Sequence, residues 1–269
     1  LDVTAIDELR GISIGLRETR IGACATWSEI AEAKLPVACR ALQMAAREVG
    51  GRQIQNAGTI AGNLCNASPA ADGVPPLLLL DAEIELTSVR GTRRMSLSDF
   101  ITGPRQTSRA ADELLTAVIL PKASQSGRST FLKLGARAYL VISIAAIAVR
   151  LAMRENVIAD AAVAVGSCGP VATRLPVVEG LLVGLTPAEA AAAVWDECSG
   201  RQMEVFTTEP CLQFYSANFL VPGIKGKRGA VYGPRYGLCF ETQHVPDAPN
   251  LPGFDGIRLN PGEVMQSTT

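Results

Sequence analysis

The residues best suited to chemistry lie in one stretch, residues 50–86. Its middle reads Asn56-Ala57-Gly58-Thr59-Ile60-Ala61-Gly62-Asn63 and runs on through Asn66-Ala67-Ser68-Pro69-Ala70-Ala71-Asp72. Small residues let a backbone come close to a ligand, and short hydroxyl and amide side chains donate or accept without filling a pocket. The chemistry this favours is the holding of a phosphate or a polar ring by backbone N–H groups. A surface loop between two packed elements has the same composition. Residue types alone leave both readings open.

The flanking sequence supplies the elements that would position this stretch. Ile12 and Ile14 precede a turn at Gly15, and Arg20–Cys24 reads as a strand. A helix starts near Thr26 or Ser28, either of which can cap it. Apolar residues at Val37, Leu42, Ala45, Ala46 and Val49 predict an amphipathic helix from Pro36 that stops at Gly50-Gly51. Beyond the stretch, Leu77–Leu80 is a buried apolar run. Ala82–Ser88 and Arg93–Leu97 pair as a hairpin about Arg90-Gly91-Thr92, and Leu114–Leu120 is a strand closed by Pro121. Residues 122–129 read as a polar linker. Phe131–Ala136 is a strand carrying Lys133, and Val141–Met153 with Val157–Gly166 forms a hairpin turning at Arg154-Glu155-Asn156. Two helices follow, Leu175–Val183 and the Ala-rich Pro187–Cys198. The texture then changes near Ser199-Gly200 to short strands, Met203–Thr208, Cys211–Ala217 and Gly237–Gln243, separated by Gly/Lys/Arg-rich loops. Taken singly, Asp72 reads as a helix cap before Pro75-Pro76, and Lys133 as an exposed strand lysine.

Composition narrows the function classes. The chain has 269 residues, enough for two domains, with 48% hydrophobic and 19% charged residues. A net charge of −1 offers no footprint for nucleic acid. No apolar run approaches the ~20 residues of a membrane span. The seven cysteines are scattered without a CxxC pair, and the one histidine leaves a metal site little support; a reducing cytoplasm is expected. The sequence opens at Leu1 without a signal-peptide pattern and reads as a piece of something longer.

Residues 1–198 resemble the FAD-binding medium subunit of the xanthine dehydrogenase / carbon monoxide dehydrogenase family of molybdenum hydroxylases. The resemblance rests on the ordered set Asn56–Asn63, Ala67–Asp72, Leu80-Asp81-Ala82 and Phe131-Leu132-Lys133-Leu134-Gly135-Ala136-Arg137. It implies an α+β fold: a flavin-binding domain of the vanillyl-alcohol-oxidase (PCMH) type over residues 1–122, then a smaller α+β domain over 130–198. By carry-over, Thr59, Ile60, Ala61, Gly62 and Asn63 approach the pyrophosphate and flavin of FAD, Ser68 and Asp72 hydrogen-bond it, and Lys133 lies beside it. Ala61 replaces the second glycine of the family's turn, which a negative φ permits. The family's first glycine-rich phosphate loop precedes the region that begins at Leu1, so FAD binding is expected to be weak or absent. The implied partners are an iron–sulfur small subunit and a molybdenum-cofactor large subunit, with NAD or another acceptor taking the electrons.

Residues 201–269 resemble instead the C-terminal end of aldose 1-epimerases. The carriers are Arg201–Val205, Thr207-Thr208-Glu209-Pro210, Leu212–Tyr215, Asn218-Phe219-Leu220, Gly237–His244, Pro246–Asn250 and Pro261-Gly262-Glu263. The resemblance makes Glu241 the base that takes the anomeric proton. The family's general acid and main sugar-binding residues belong to an upstream segment this sequence does not contain. A slice of β-sandwich is expected to expose apolar faces and unpaired edges. Three readings follow: a FAD-binding electron-transfer subunit, a sugar-anomer epimerase using Glu241, and a chimera of two fragments with neither activity.

Overall fold

The computed structural model describes residues 2–136, 141–186, 192–196, 201–205, 207–217, 219–226, 229–246, 248 and 259–269. It divides into two compact units, Leu1–Gly184 and Leu185–Thr269.

The first unit begins with strands β1 (Ile12–Ile14) and β2 (Glu18–Gly22), then four short helices, α1 (Trp27–Glu32), α2 (Arg40–Glu48), α3 (Arg52–Ala57) and α4 (Ile60–Asn66). After α5 (Val74–Leu78) come the hairpin strands β3 (Glu83–Ser88) and β4 (Gly91–Ser96), helix α6 (Leu97–Phe100), the short strands β5 (Ile101–Gly103) and β6 (Gln106–Thr107), and β7 (Leu114–Pro121). The unit closes with β8 (Arg128–Leu134), β9 (Ala145–Arg154), β10 (Val157–Gly166), β11 (Thr173–Arg174) and α7 (Pro176–Leu182).

Its two main sheets are antiparallel throughout, with orders β1-β2-β7-β3-β4 and β11-β10-β9-β8. The turn between β9 and β10 places Glu155 at φ 50° and Asn156 at φ 68°, the paired left-handed geometry that matches strand twist. The core is built from Trp27, Phe100, Ile30, Leu42, Ile60, Leu64, Leu77, Leu79, Leu80 and Ile84. The end of helix α5 is tied to the second sheet. Leu79 O accepts from Arg150 Nε on β9 at 3.1 Å, and Leu78 O from Arg174 Nη1 on β11 at 3.1 Å.

The second unit contains three separate two-stranded antiparallel pairs among its described residues. These are β12 (Ala192–Asp196) with β13 (Arg201–Val205), β14 (Cys211–Tyr215) with β17 (Cys239–Gln243), and β15 (Ile224–Lys225) with β16 (Val231–Tyr232). Their interior is thin: Phe219, Val221, Tyr236, Val264 and Met265 are all exposed.

Three expectations are corrected. The Asn/Gly-rich run is helical, as α3 and α4, rather than an open loop. The linker region forms a 3-10 turn at Lys122–Ser124, and β8 already starts at Arg128. Within the expected helix Pro187–Cys198, Ala192–Asp196 is a strand whose last residue pairs with Arg201; pairing with Arg201–Val205 overrides alanine's helix preference. The rest of that expected helix lies outside the described residues. The pairing of Asp196 with Arg201 also spans the composition shift near residue 200, which falls inside the second unit.

Candidate functional site

Helix α4 is set by its cap. Thr59 has extended backbone, and its hydroxyl accepts from Gly62 N–H at 3.1 Å, filling the role of a Ser/Thr N-cap. The helix start is then tied to the segment before α1. Ile60 N–H donates to Ala25 O at 3.0 Å, Ala61 N–H to Ala23 O at 3.2 Å, and Trp27 N–H to Gly58 O at 3.1 Å. Asn63 N–H makes the ordinary helical bond to Thr59 O. Every amide from Ile60 to Asn63 is thus already donated within the protein. The expected delivery of these N–H groups to a pyrophosphate is not what this geometry provides, because Ala23 O, Ala25 O and the Thr59 cap already accept from them. Ile60 is buried in the core, so its side chain serves packing. Ala61 occupies a regular helical position, where its Cβ is accommodated as expected.

Ser68 lies just past the left-handed Ala67 that ends α4, and its hydroxyl accepts from Ala70 N–H at 3.3 Å. This is a local turn. Asp72 is not a helix cap, since α5 starts after Gly73 without a side-chain cap. Its carboxylate instead accepts from Lys133 Nζ at 2.7 Å and from the hydroxyl of Ser143. Lys133 also donates to Glu48 O at 3.3 Å. The Lys133 and Asp72 side chains are 9% and 8% exposed, so the pair is buried and neither partner is a free surface charge.

Three of the eight expected cofactor residues, Asn63, Asp72 and Lys133, line one cleft of about 380 Å³ with Gly50, Ile54 and Ile142. Thr59, Ile60, Ala61, Gly62 and Ser68 do not line it. Gly50 has φ 56°, the left-handed stop of α2. Asn63 Oδ1 is buried and accepts no hydrogen bond, which leaves an acceptor in want of a donor. A Cβ on Gly73 would stand 3.1 Å from that oxygen and 2.4 Å from the Trp27 ring; only glycine allows this approach. Ser143 is the site residue that sequence reading missed. Its signal was a hydroxyl facing inward between the exposed Ile142 and Ile144.

In the second unit, Glu241 lies on β17 opposite Gln213 and is exposed. A separate cleft of about 830 Å³ is lined by Glu209, His244, Leu259, Glu263 and Met265 but not by Glu241. His244 Nδ1 lies 2.8 Å from Glu209 Oε2, a contact that is ionic only when the imidazole is protonated.

Comparison with known proteins divides the chain in the same sense. Residues 1–123 match the family described as FAD binding domain in molybdopterin dehydrogenase, and residues 181–269 match aldose 1-epimerase. The nicotinate dehydrogenase FAD-subunit of Eubacterium barkeri is 40% identical over 148 residues, 54% of this chain and 50% of that protein. Human galactose mutarotase is 48% identical over 88 residues, 33% of this chain and 26% of that protein. The chain therefore spans half of the first relative and about a quarter of the second. Among solved structures, a Cu,Mo-CO dehydrogenase chain superposes with a TM-score of 0.64 at 26% identity, covering 68% of this chain and 64% of that one. The chain thus combines a segment that matches the FAD-binding domain of molybdopterin dehydrogenases with a segment that matches aldose 1-epimerase.

Proposed function

We propose that the first unit holds FAD as the medium subunit of a molybdenum hydroxylase. The observation that carries this is convergence: Asn63 and Asp72 from the 50–86 stretch meet Lys133 of β8, 61 residues beyond Asp72, in one cleft within the unit that contains the FAD-domain match. The residues fit the ring end of the cofactor. Asn63 Oδ1 is an orphaned buried acceptor, and the N–H of an isoalloxazine ring is a donor of the kind it lacks. The phosphate end fits less well, since α4 has no amide to spare. Weak FAD binding follows from that.

When bound, FAD supplies two-electron chemistry; the protein contributes binding, orientation and electrostatics. Asn63 offers an acceptor, Gly50 keeps the wall thin, and the Lys133–Asp72 pair fixes the charge of the cleft. In this reading electrons arrive from an iron–sulfur small subunit, whose partner large subunit carries the molybdenum cofactor, and leave to NAD or another acceptor in the cytoplasm. The test is gel filtration of the full chain in buffer that itself holds saturating FAD, so that weakly bound flavin is not stripped on the column. Flavin absorbance above the buffer level co-eluting with protein supports the reading, and its absence rejects it.

A second reading is sugar-anomer interconversion with Glu241 as base, supported by the aldose 1-epimerase match of residues 181–269. Glu241 is exposed and outside the second unit's cleft, so this reading is weaker than the first. Polarimetry on freshly dissolved α-D-glucose separates it from a chain with neither activity.

A further inference from the structure

Lys133 and Asp72 both face the candidate flavin cleft, yet they cancel each other there. Each is fixed from a second side: Ser143 donates to the other oxygen of Asp72, and Lys133 donates to Glu48 O. Burial matters because a charge shielded from water acts over a longer distance than one at the surface. We propose that Asp72 is a positioning residue that sets the reduction potential of a flavin in this cleft, by holding Lys133 in a neutral pair. The inference rests on the flavin reading above.

The charge argument is direct. Two electrons and one proton convert an oxidised flavin into its singly negative reduced form, so reduction adds one negative charge to the cleft. A free ammonium beside the ring favours the reduced form and raises the potential. An ammonium already paired with a carboxylate favours it much less.

The experiment is a spectroscopic redox titration of the FAD-loaded full chain, with dithionite supplying the electrons. Asp72→Asn frees the Lys133 charge and raises the midpoint. A tenfold gain in relative affinity for the reduced flavin corresponds to about 30 mV for a two-electron couple. Lys133→Met leaves a net negative cleft and lowers the midpoint, and the double variant returns it toward the parent. A purely structural role would not move the two single variants in opposite directions. Should Asp72→Asn fail to fold, Lys133→Met and Lys133→Arg carry the test, with Arg close to the parent and Met below it. Flavin bound stoichiometrically with unchanged potentials, or with both single variants shifted the same way, overturns this inference alone. A chain that takes up no flavin overturns the flavin reading with it.

Discussion

Lys133 Nζ lies 2.7 Å from Asp72 Oδ2, although the two residues are 61 positions apart. The contact ties β8 of the second sheet to the segment between α4 and α5, so a single ion pair shapes the cleft and joins the halves of the first unit. Buried pairs are costly to break and cheap to replace, because the lone survivor is an uncompensated charge. We expect Asp72→Asn, and likewise Lys133→Met, to destabilise the first unit by about 3–5 kcal/mol. The double variant Asp72→Asn with Lys133→Met should recover most of that loss. Urea unfolding of the four proteins, taken as a double-mutant cycle, measures the coupling; additive losses would show that the pair does not act as a unit.

Asn63 carries the opposite balance. Its buried Oδ1 accepts nothing, and an unmade buried hydrogen bond costs about 1–3 kcal/mol. Asn63→Ala should therefore leave the flavin-free protein as stable as the parent or slightly more so, while weakening FAD binding. Thermal unfolding with and without saturating FAD reads both effects. A variant that is destabilised alone yet stabilised by FAD as fully as the parent would contradict it.

Gly73 sits where a side chain has no room. A Cβ would meet the Trp27 ring at 2.4 Å, and Trp27 is fully buried between α1 and the core. Gly73→Ala must displace that ring, at a cost of about 1–3 kcal/mol for an overpacked site. The displacement should also change the emission of Trp27, one of two tryptophans in the chain; unchanged emission and stability would show that the α4–α5 junction yields freely.

Much of this architecture was legible in the sequence, for local reasons. The Thr26 cap, the Gly50 stop of α2 and the Glu155-Asn156 turn each depend on neighbours in the chain, and all three are present. What depended on distant partners was not. Taken singly, Asp72 looked like a helix cap and Lys133 like an exposed strand lysine, because nothing local signals a partner 61 positions away. The amides of Ile60 and Ala61 looked available because their acceptors, Ala25 O and Ala23 O, belong to a different element. Ala192–Asp196 looked helical because alanine favours helix, and the strand arises from pairing with Arg201–Val205.

Acid sensitivity should be concentrated at Glu113. The Arg93 guanidinium, bonded to both carboxylate oxygens, and the Ala110 N–H hold its carboxyl at about 2, below the ordinary 4.5. A depressed carboxylate stabilises the fold above its unfolded pKa, and that contribution fades as pH falls through its folded pKa. The stability gap between the parent and Glu113→Gln should be full at pH 7, shrink below about 4.5 and vanish near 2. Urea midpoints across that range check the sign; a gap that widens toward acid would contradict it.

The two units should differ most under protease. The first buries a continuous core reaching from Leu9 to Ala164. The described part of the second has two-stranded pairs only, with Phe219, Val221, Val264 and Met265 exposed. Isolated two-stranded ribbons are marginal in water, since neither face is covered by a third strand or a helix. Local opening therefore costs less in residues 185–269 than in residues 1–184, and cleavage follows the opened population. Limited digestion with a broad-specificity protease should remove the second unit first and leave a product ending near Gly184, identified by intact mass. Equal rates of loss across both units would mean that residues 185–269 are stabilised as strongly as the core that holds the cleft.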